Sequence, residues 1–173
     1  MTNRDTEKYE ELLAALETGA PGAVEGSERP HGDLVVTVRR PKCHEVLKVL
    51  RHRGFDLLLD IAGVDLLEME HEDRFQVVYN LYSLADDLRL RVKVNVPEDD
   101  MSLSSVANIW QSANWAEREA YDMFGFRFES HPNLSRILCH HEFEGHALRK
   151  DYPIMKGQWA TSATDLMRDL DEE

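Results

Sequence analysis

The chain has 173 residues, 42% of them apolar and 31% charged, with a formal net charge of −13. That length suits one domain with an extended tail, and the charge excludes nucleic acid as a general partner and unaided binding to an anionic membrane. No run approaches the roughly 20 apolar residues that span a bilayer, the N-terminus lacks a signal-peptide core, and two distant cysteines, Cys43 and Cys139, fit a reducing compartment.

In chain order, Tyr9, Leu12, Leu13 and Leu16 form one face of a helix predicted over 5–18, closed by Gly19. A Gly/Pro-rich loop follows, with a short strand at Ala23–Val24, and Leu34 to Val38 is β-branched enough to be a strand. Pro41 opens a second helix that Gly54 closes, with Val46, Leu47 and Leu50 as its buried stripe and Cys43 beside them. Phe55–Ile61 and Phe75–Tyr82 are further strands, separated by a polar turn at 67–73. Leu88 to Val96 alternates apolar and polar residues, the mark of a strand with one wet face. Ser104 or Ser105 is expected to cap a helix through Ile109 and Trp110. Asn114 and Glu117 are expected to form the capping box of another, which Gly125 ends. The pattern predicts an α+β fold: a small, mostly antiparallel sheet packed on helices over 1–125, then an extended C-terminal strap and acidic tail over 126–173. A structureless stretch of such length makes sense if it lies along another protein, burying Phe143, Leu148 and Tyr152 there.

The chemistry-bearing residues concentrate between Asn114 and Pro153. His131, His140, His141 and His146, with Cys139 and Glu144, invite a metal-site reading, but their spacing places no set of ligands on one face, and neither H-E-x-x-H nor C-x-x-C occurs. Two thiols are too few for an iron–sulfur cluster, and no nucleotide-binding glycine loop or nucleophile elbow is present. Cys43 sits in a helix first turn, where a thiol can be activated, but a small buried core residue is the better reading. Arg118 and Asp122 are four apart and able to pair on one helix face. With Trp115, Tyr121, Met123 and Phe124 beside them, that helix suits an interface or core packing equally. The run Leu148-Arg-Lys-Asp-Tyr-Pro153 reads as a docking strap, with Arg149 exposed to a carboxylate on a partner and the Gly145-His146 pair allowing close backbone approach.

Three runs in this stretch, W-x-E-R-E-x-Y-D-M-F-G (Trp115–Gly125), H-P-N-L-S-R-I-L (His131–Leu138) and E-G-H-x-L-R-K-D-Y-P (Glu144–Pro153), resemble the 30 kDa, or C-type, subunit of proton-pumping NADH–quinone oxidoreductase, respiratory complex I. By position Glu117, Arg118, Tyr121, Asp122, Phe124 and Gly125 match the first run. His131, Pro132, Leu134, Arg136, Ile137 and Leu138 match the second. Glu144, Gly145, His146, Leu148, Arg149, Lys150, Asp151, Tyr152 and Pro153 match the third. Departures fall in the strap, where the family often has Arg for Ser135, Pro for Ala147 and Asp-Asp-Trp for His141–Phe143. The resemblance implies a non-catalytic peripheral-arm subunit without catalytic or metal residues and without a bound cofactor. FMN, Fe-S clusters and quinone would sit in partner subunits, and electrons would pass from NADH to quinone through those groups. The matched residues, apart from Leu134, Ile137 and Leu138, are then expected at interfaces with the 49 kDa (D), B and I type subunits. Membrane association would come only through the complex, on the cytoplasmic side of the cell membrane. The chain, ending shortly after Pro153, is expected to be the unfused form. Two alternatives stand: a homologous subunit of a membrane-bound hydrogenase or formate hydrogenlyase, and a metallohydrolase using the 131–146 histidines.

Overall fold

The computed structural model describes residues 3–158; the predicted acidic end, 165–173, lies outside the described residues. Helix α1 (Asn3–Gly19) precedes strands β1 (Val24–Glu28) and β2 (Leu34–Val38), then helix α2 (Cys43–His52). Strands β3 (Leu57–Asp65), β4 (Phe75–Ser83) and β5 (Leu88–Val96) form a meander. Strand β6 (Ser102–Ser104), helix α3 (Ala113–Phe124) and strand β7 (Arg127–Glu129) follow.

The main sheet has the order β1-β2-β5-β4-β3, antiparallel except where β2 runs parallel to β5, Val36 opposite Val92. This is the α+β fold expected, with helices on one face. Alternation makes that face: Phe75, Val77, Tyr79 and Leu81 of β4, and the even-numbered residues 88–96 of β5, point inward, while Arg89 and Arg91 stay exposed. The inward residues share one core with Leu12 and Leu16 of α1, Val46, Leu47 and Leu50 of α2, and Ala120, Met123 and Phe124 of α3. At roughly 1.5–3 kcal/mol per fully buried large aliphatic or aromatic side chain, this shared burial is what holds the helices to the sheet. Helix α3 lies against β3 because Gly63 leaves room; a Cβ there would sit 2.4 Å from the Phe124 ring.

Three local expectations change. No helix runs through Ile109 and Trp110. Residues 102–104 instead form β6, parallel to β7, and Trp110 is drawn into the core with its indole N–H donating to Phe55 O (3.1 Å). The helix α3 begins at Ala113 rather than after an Asn114 cap, and Glu117 turns inward instead of back toward its own N-terminus. Residues following Gly125 rejoin the domain: Phe126 and Phe128 are buried in the same core, and β7 lies beyond the point where the sequence loses its periodicity.

Candidate functional site: the strap at the end of helix α3

A helix ends with four backbone carbonyls lacking intrahelical partners, and cations favour that end. In α3 these are the carbonyls of Tyr121 to Phe124, and three are satisfied by the segment that follows β7. Gly125 N–H closes on Tyr121 O (2.8 Å), with Gly125 left-handed at φ 90°. Asp122 O accepts from Arg136 Nη1 (3.3 Å) and from His146 Nδ1 (3.0 Å). Met123 O accepts from Leu148 N–H (3.1 Å), and Phe124 O from Arg149 Nε (2.6 Å). The strap is thus the cap of α3. A side chain at Gly125 would collide with it, since a Cβ would lie 2.6 Å from His146 Nε2 and 2.7 Å from Arg149 Nη2.

Two buried carboxylates pin the strap. Asp122 Oδ2 accepts from three consecutive backbone N–H groups, of Ile137 (2.9 Å), Leu138 (2.8 Å) and Cys139 (2.9 Å), while Oδ1 takes Arg136 Nη1 (2.6 Å). Burial alone raises its pKa, but these donors outweigh burial and hold it at about 2. Asp65, at the end of β3, accepts from Lys150 N–H (2.9 Å), Leu67 N–H (2.9 Å) and Arg74 (3.0 Å). Burial opposes ionisation there too, and the Arg74 and backbone donors again bring the group to about 2. Arg74 also pairs with Asp151 (2.9 Å) and Lys150 Nζ donates to Leu67 O (3.0 Å), so the Arg-Lys-Asp run clasps the β3–β4 hairpin.

A third carboxylate, Glu117, holds the other end of α3. Its Oε2 accepts from Ser105 Oγ and its Oε1 from Val106 N–H, both at 2.6 Å. Burial pushes its pKa to about 7, against the pull of those two hydrogen bonds. His131 Nε2 lies 3.8 Å away but donates to Asn114 O (3.1 Å), while its Nδ1 accepts from Asn133 N–H, which sets the tautomer of the ring.

These contacts correct several expectations. Arg118 does not pair with Asp122. It donates to the carbonyls of Ser135 (3.0 Å) and Arg136 (3.2 Å) and lies over the Trp115 ring, because Asp122 faces the strap. Glu117 and Asp122 are 0% exposed, so they support the surface from within, and Phe124 is buried against Gly63. Arg149 is a fold residue, its guanidinium 5.2 Å from the Phe75 ring centre. Phe143 and Tyr152 stack on each other (5.6 Å), with Arg136 over Phe143, and Gln158 joins the loop ends by bonding Glu144 O and Tyr152 Oη. The close approach expected at Gly145 is shared with Gly125. Of the remaining positions, Tyr121 is half-buried against His146, whereas Pro132, Glu144 and Pro153 are exposed.

Of the histidines, His146 caps α3, His140 meets Phe143 edge-on, and His141 is exposed. Among the described residues no group of three or more His, Cys, Asp or Glu is placed to hold a metal ion. Cys43 faces the core, where burial pushes its thiol up to about 12, the opposite of activation. The strap leaves an apolar surface outside that includes Leu148, expected against a partner, together with Ile154 and Met155, which the motifs did not reveal. Leu138 and Leu148 are 62% and 56% exposed, Trp115 61%, and Ile154 and Met155 almost fully. Ile154 and Met155 follow the last recognised motif, so only their apolar character against polar neighbours could have marked them.

Residues 36–158 match the family described as respiratory-chain NADH dehydrogenase, 30 Kd subunit. The C-type subunit of the NADH-quinone oxidoreductase of Geobacter sulfurreducens is 46% identical over 124 residues, covering 71% of this chain and 76% of that one. The combined C/D-type subunit of the same enzyme in Bdellovibrio bacteriovorus is 47% identical over 133 residues, 76% of this chain but 23% of that longer one. Among solved structures, the trypsin-resistant fragment of Nqo5 superposes with a TM-score of 0.65 at 38% identity, covering 75% of this chain and 99% of the fragment.

Proposed function

The chain belongs to the 30 kDa subunit family of the respiratory-chain NADH dehydrogenase, and from that premise we propose that it is a scaffold, without catalytic residues of its own, in the peripheral arm of NADH–quinone oxidoreductase. The similarities favour this enzyme over a hydrogenase or formate hydrogenlyase. In this reading FMN, Fe-S clusters and quinone are held by neighbouring subunits, and this chain fixes their relative positions on the cytoplasmic side of the membrane. No described helix is long and apolar enough to cross a membrane, and the reading has attachment run through partners. The D-type subunit is the first partner to expect, because C and D are named together as one polypeptide in the Bdellovibrio relative. B- and I-type subunits complete the set.

One observation carries the scaffold reading: polar groups of the strap turn inward to cap α3 and clasp β3–β4, while Leu138, Leu148, Ile154 and Met155 remain outside. Isolated apolar residues on a surface are ordinary, but Ile154 and Met155, at 99% and 95% exposure next to each other, are of the kind that anchors an interface. The test is affinity purification of the tagged full chain from gently solubilised membranes. Wild type should bring down an assembly with NADH–quinone reductase activity. Replacing Ile154 and Met155 by Asp should cut recovery of that assembly at least roughly tenfold, equivalent to about 1.4 kcal/mol, with the chain's own thermal midpoint unchanged. Wild-type chain recovered alone would overturn the scaffold role. Normal recovery of the double variant would remove these two residues from the interface.

A further inference from the structure

The sheet has two edges, and they differ. Strand β1 is short and carries exposed Glu25 and Glu28, a usual protection against unwanted pairing. Strand β3 is nine residues long, LLLDIAGVD, with no Lys, Arg or Pro, and Leu57 and Leu59 are 39% and 56% exposed. Its two ends are closed. Ser112 Oγ donates to Leu58 O (3.0 Å) near the start, and Asp65 is clasped by Arg74 and Lys150 at the finish. Between them the register with β4 skips Leu59 at an irregularity, and from Asp60 to Val64 the backbone pairs only with β4 among the described residues. A crevice of about 170 Å³ beside this window is lined by Ala62, Met123 and Leu148 together with Asp60 and Glu119.

We propose that this window is a docking site for an extended segment of a neighbouring subunit, one that adds to the sheet as a sixth strand and carries Lys or Arg between aliphatic residues. Edge addition supplies backbone hydrogen bonds for affinity and uses alternate side chains for specificity. Here the apolar lining of the crevice takes the aliphatic side chains, and the carboxylates of Asp60 and Glu119 select the basic ones. The small side chain of Ala62 adds little bulk beside the edge. The same charges exclude a second copy of this chain, which would bring its own Asp60 and Glu119 to the contact and a further net charge of −13. The proposal rests on the subunit reading above, but on a different surface from the strap.

Amide hydrogen exchange, compared between the isolated chain and the same chain in the purified membrane assembly, tests it. Amides of residues 59–64 not bonded to β4 should exchange at least roughly tenfold more slowly in the assembly. Asp60→Lys should lower recovery of partner subunits with no change in the thermal midpoint of the isolated chain. Equal exchange in both states, with an assembly recovered by wild type, overturns the edge proposal alone. Normal recovery with Asp60→Lys does the same. An isolated chain that sediments as a dimer with 59–64 protected would assign the edge to a second copy and overturn it too. Wild type recovered without partners overturns the subunit reading instead, and this proposal with it.

Discussion

Glu117 sets a carboxyl group inside the domain core. Its side chain is enclosed, its two hydrogen bonds come from Ser105 and Val106, and Cys43 and Tyr79 lie close enough to feel its charge. Burial dominates, so the folded protein keeps a proton up to about pH 7 that the unfolded chain releases near its ordinary value of 4.5. Between those values the native state binds more protons than the unfolded one, and stability therefore falls as pH rises, levelling above the folded value. Glu117→Gln removes that slope. Chemical denaturation of wild type and variant from about pH 5 to about pH 8 should show wild type losing stability relative to the variant across this range. Parallel curves would mean that Glu117 titrates normally. The residue types of this motif were legible in sequence, but not their direction: Glu117, Asp122 and Arg149 have the composition of a docking surface, and only tertiary contacts show that they point inward.

At the scale of elements, α3 and the strap form one unit because the helix end is completed by residues up to 25 positions later. Gly125 is the hinge of that arrangement, needing both a left-handed backbone and an empty Cβ position. Gly125→Ala should cost about 2 kcal/mol or more, from the conformation plus the collision with His146 and Arg149. A fall in thermal midpoint, together with faster proteolysis between Ser130 and Lys150, would show it; an unchanged midpoint would mean that the strap is not packed there. Strand β5 was readable because its alternation carries its own period, β2 because it is short and β-branched, and β3 because it is rich in apolar residues, although it starts at Leu57 rather than Phe55 and runs on to Asp65. Of β1 only the start at Val24 was legible, and β6 and β7 were not, since VEGSE, SLS and RFE contain too little pattern and exist only because a neighbour pairs with them. The same long-range pairing overrode the helix expected through Ile109.

At the scale of the whole molecule, Asp65 and Asp122 tie the strap to two different parts of the domain. Both have folded pKa values of about 2 against an ordinary 3.8. Their stabilisation is complete above the ordinary value and is lost as pH falls through the folded one. Acid should therefore release the strap between about pH 4 and pH 2, and limited pepsin digestion should cut first within 134–150 while the far-ultraviolet circular dichroism of the sheet persists. Asp122→Asn should move the onset of cutting to higher pH; an onset that does not move would show that Asp122 is not a latch.

The parallel contact of β2 with β5 has a consequence for the order of events in synthesis. β2 leaves the ribosome beside β1, but its other neighbour appears only after α2, β3 and β4 have been made, and such non-local pairing is slow to form. The strap comes later still, and its two anchors belong to elements that must already be in place. A chain with an unfinished sheet has nowhere to fasten its last segment, so partners that recognise the fastened strap would be reading a certificate of completed folding.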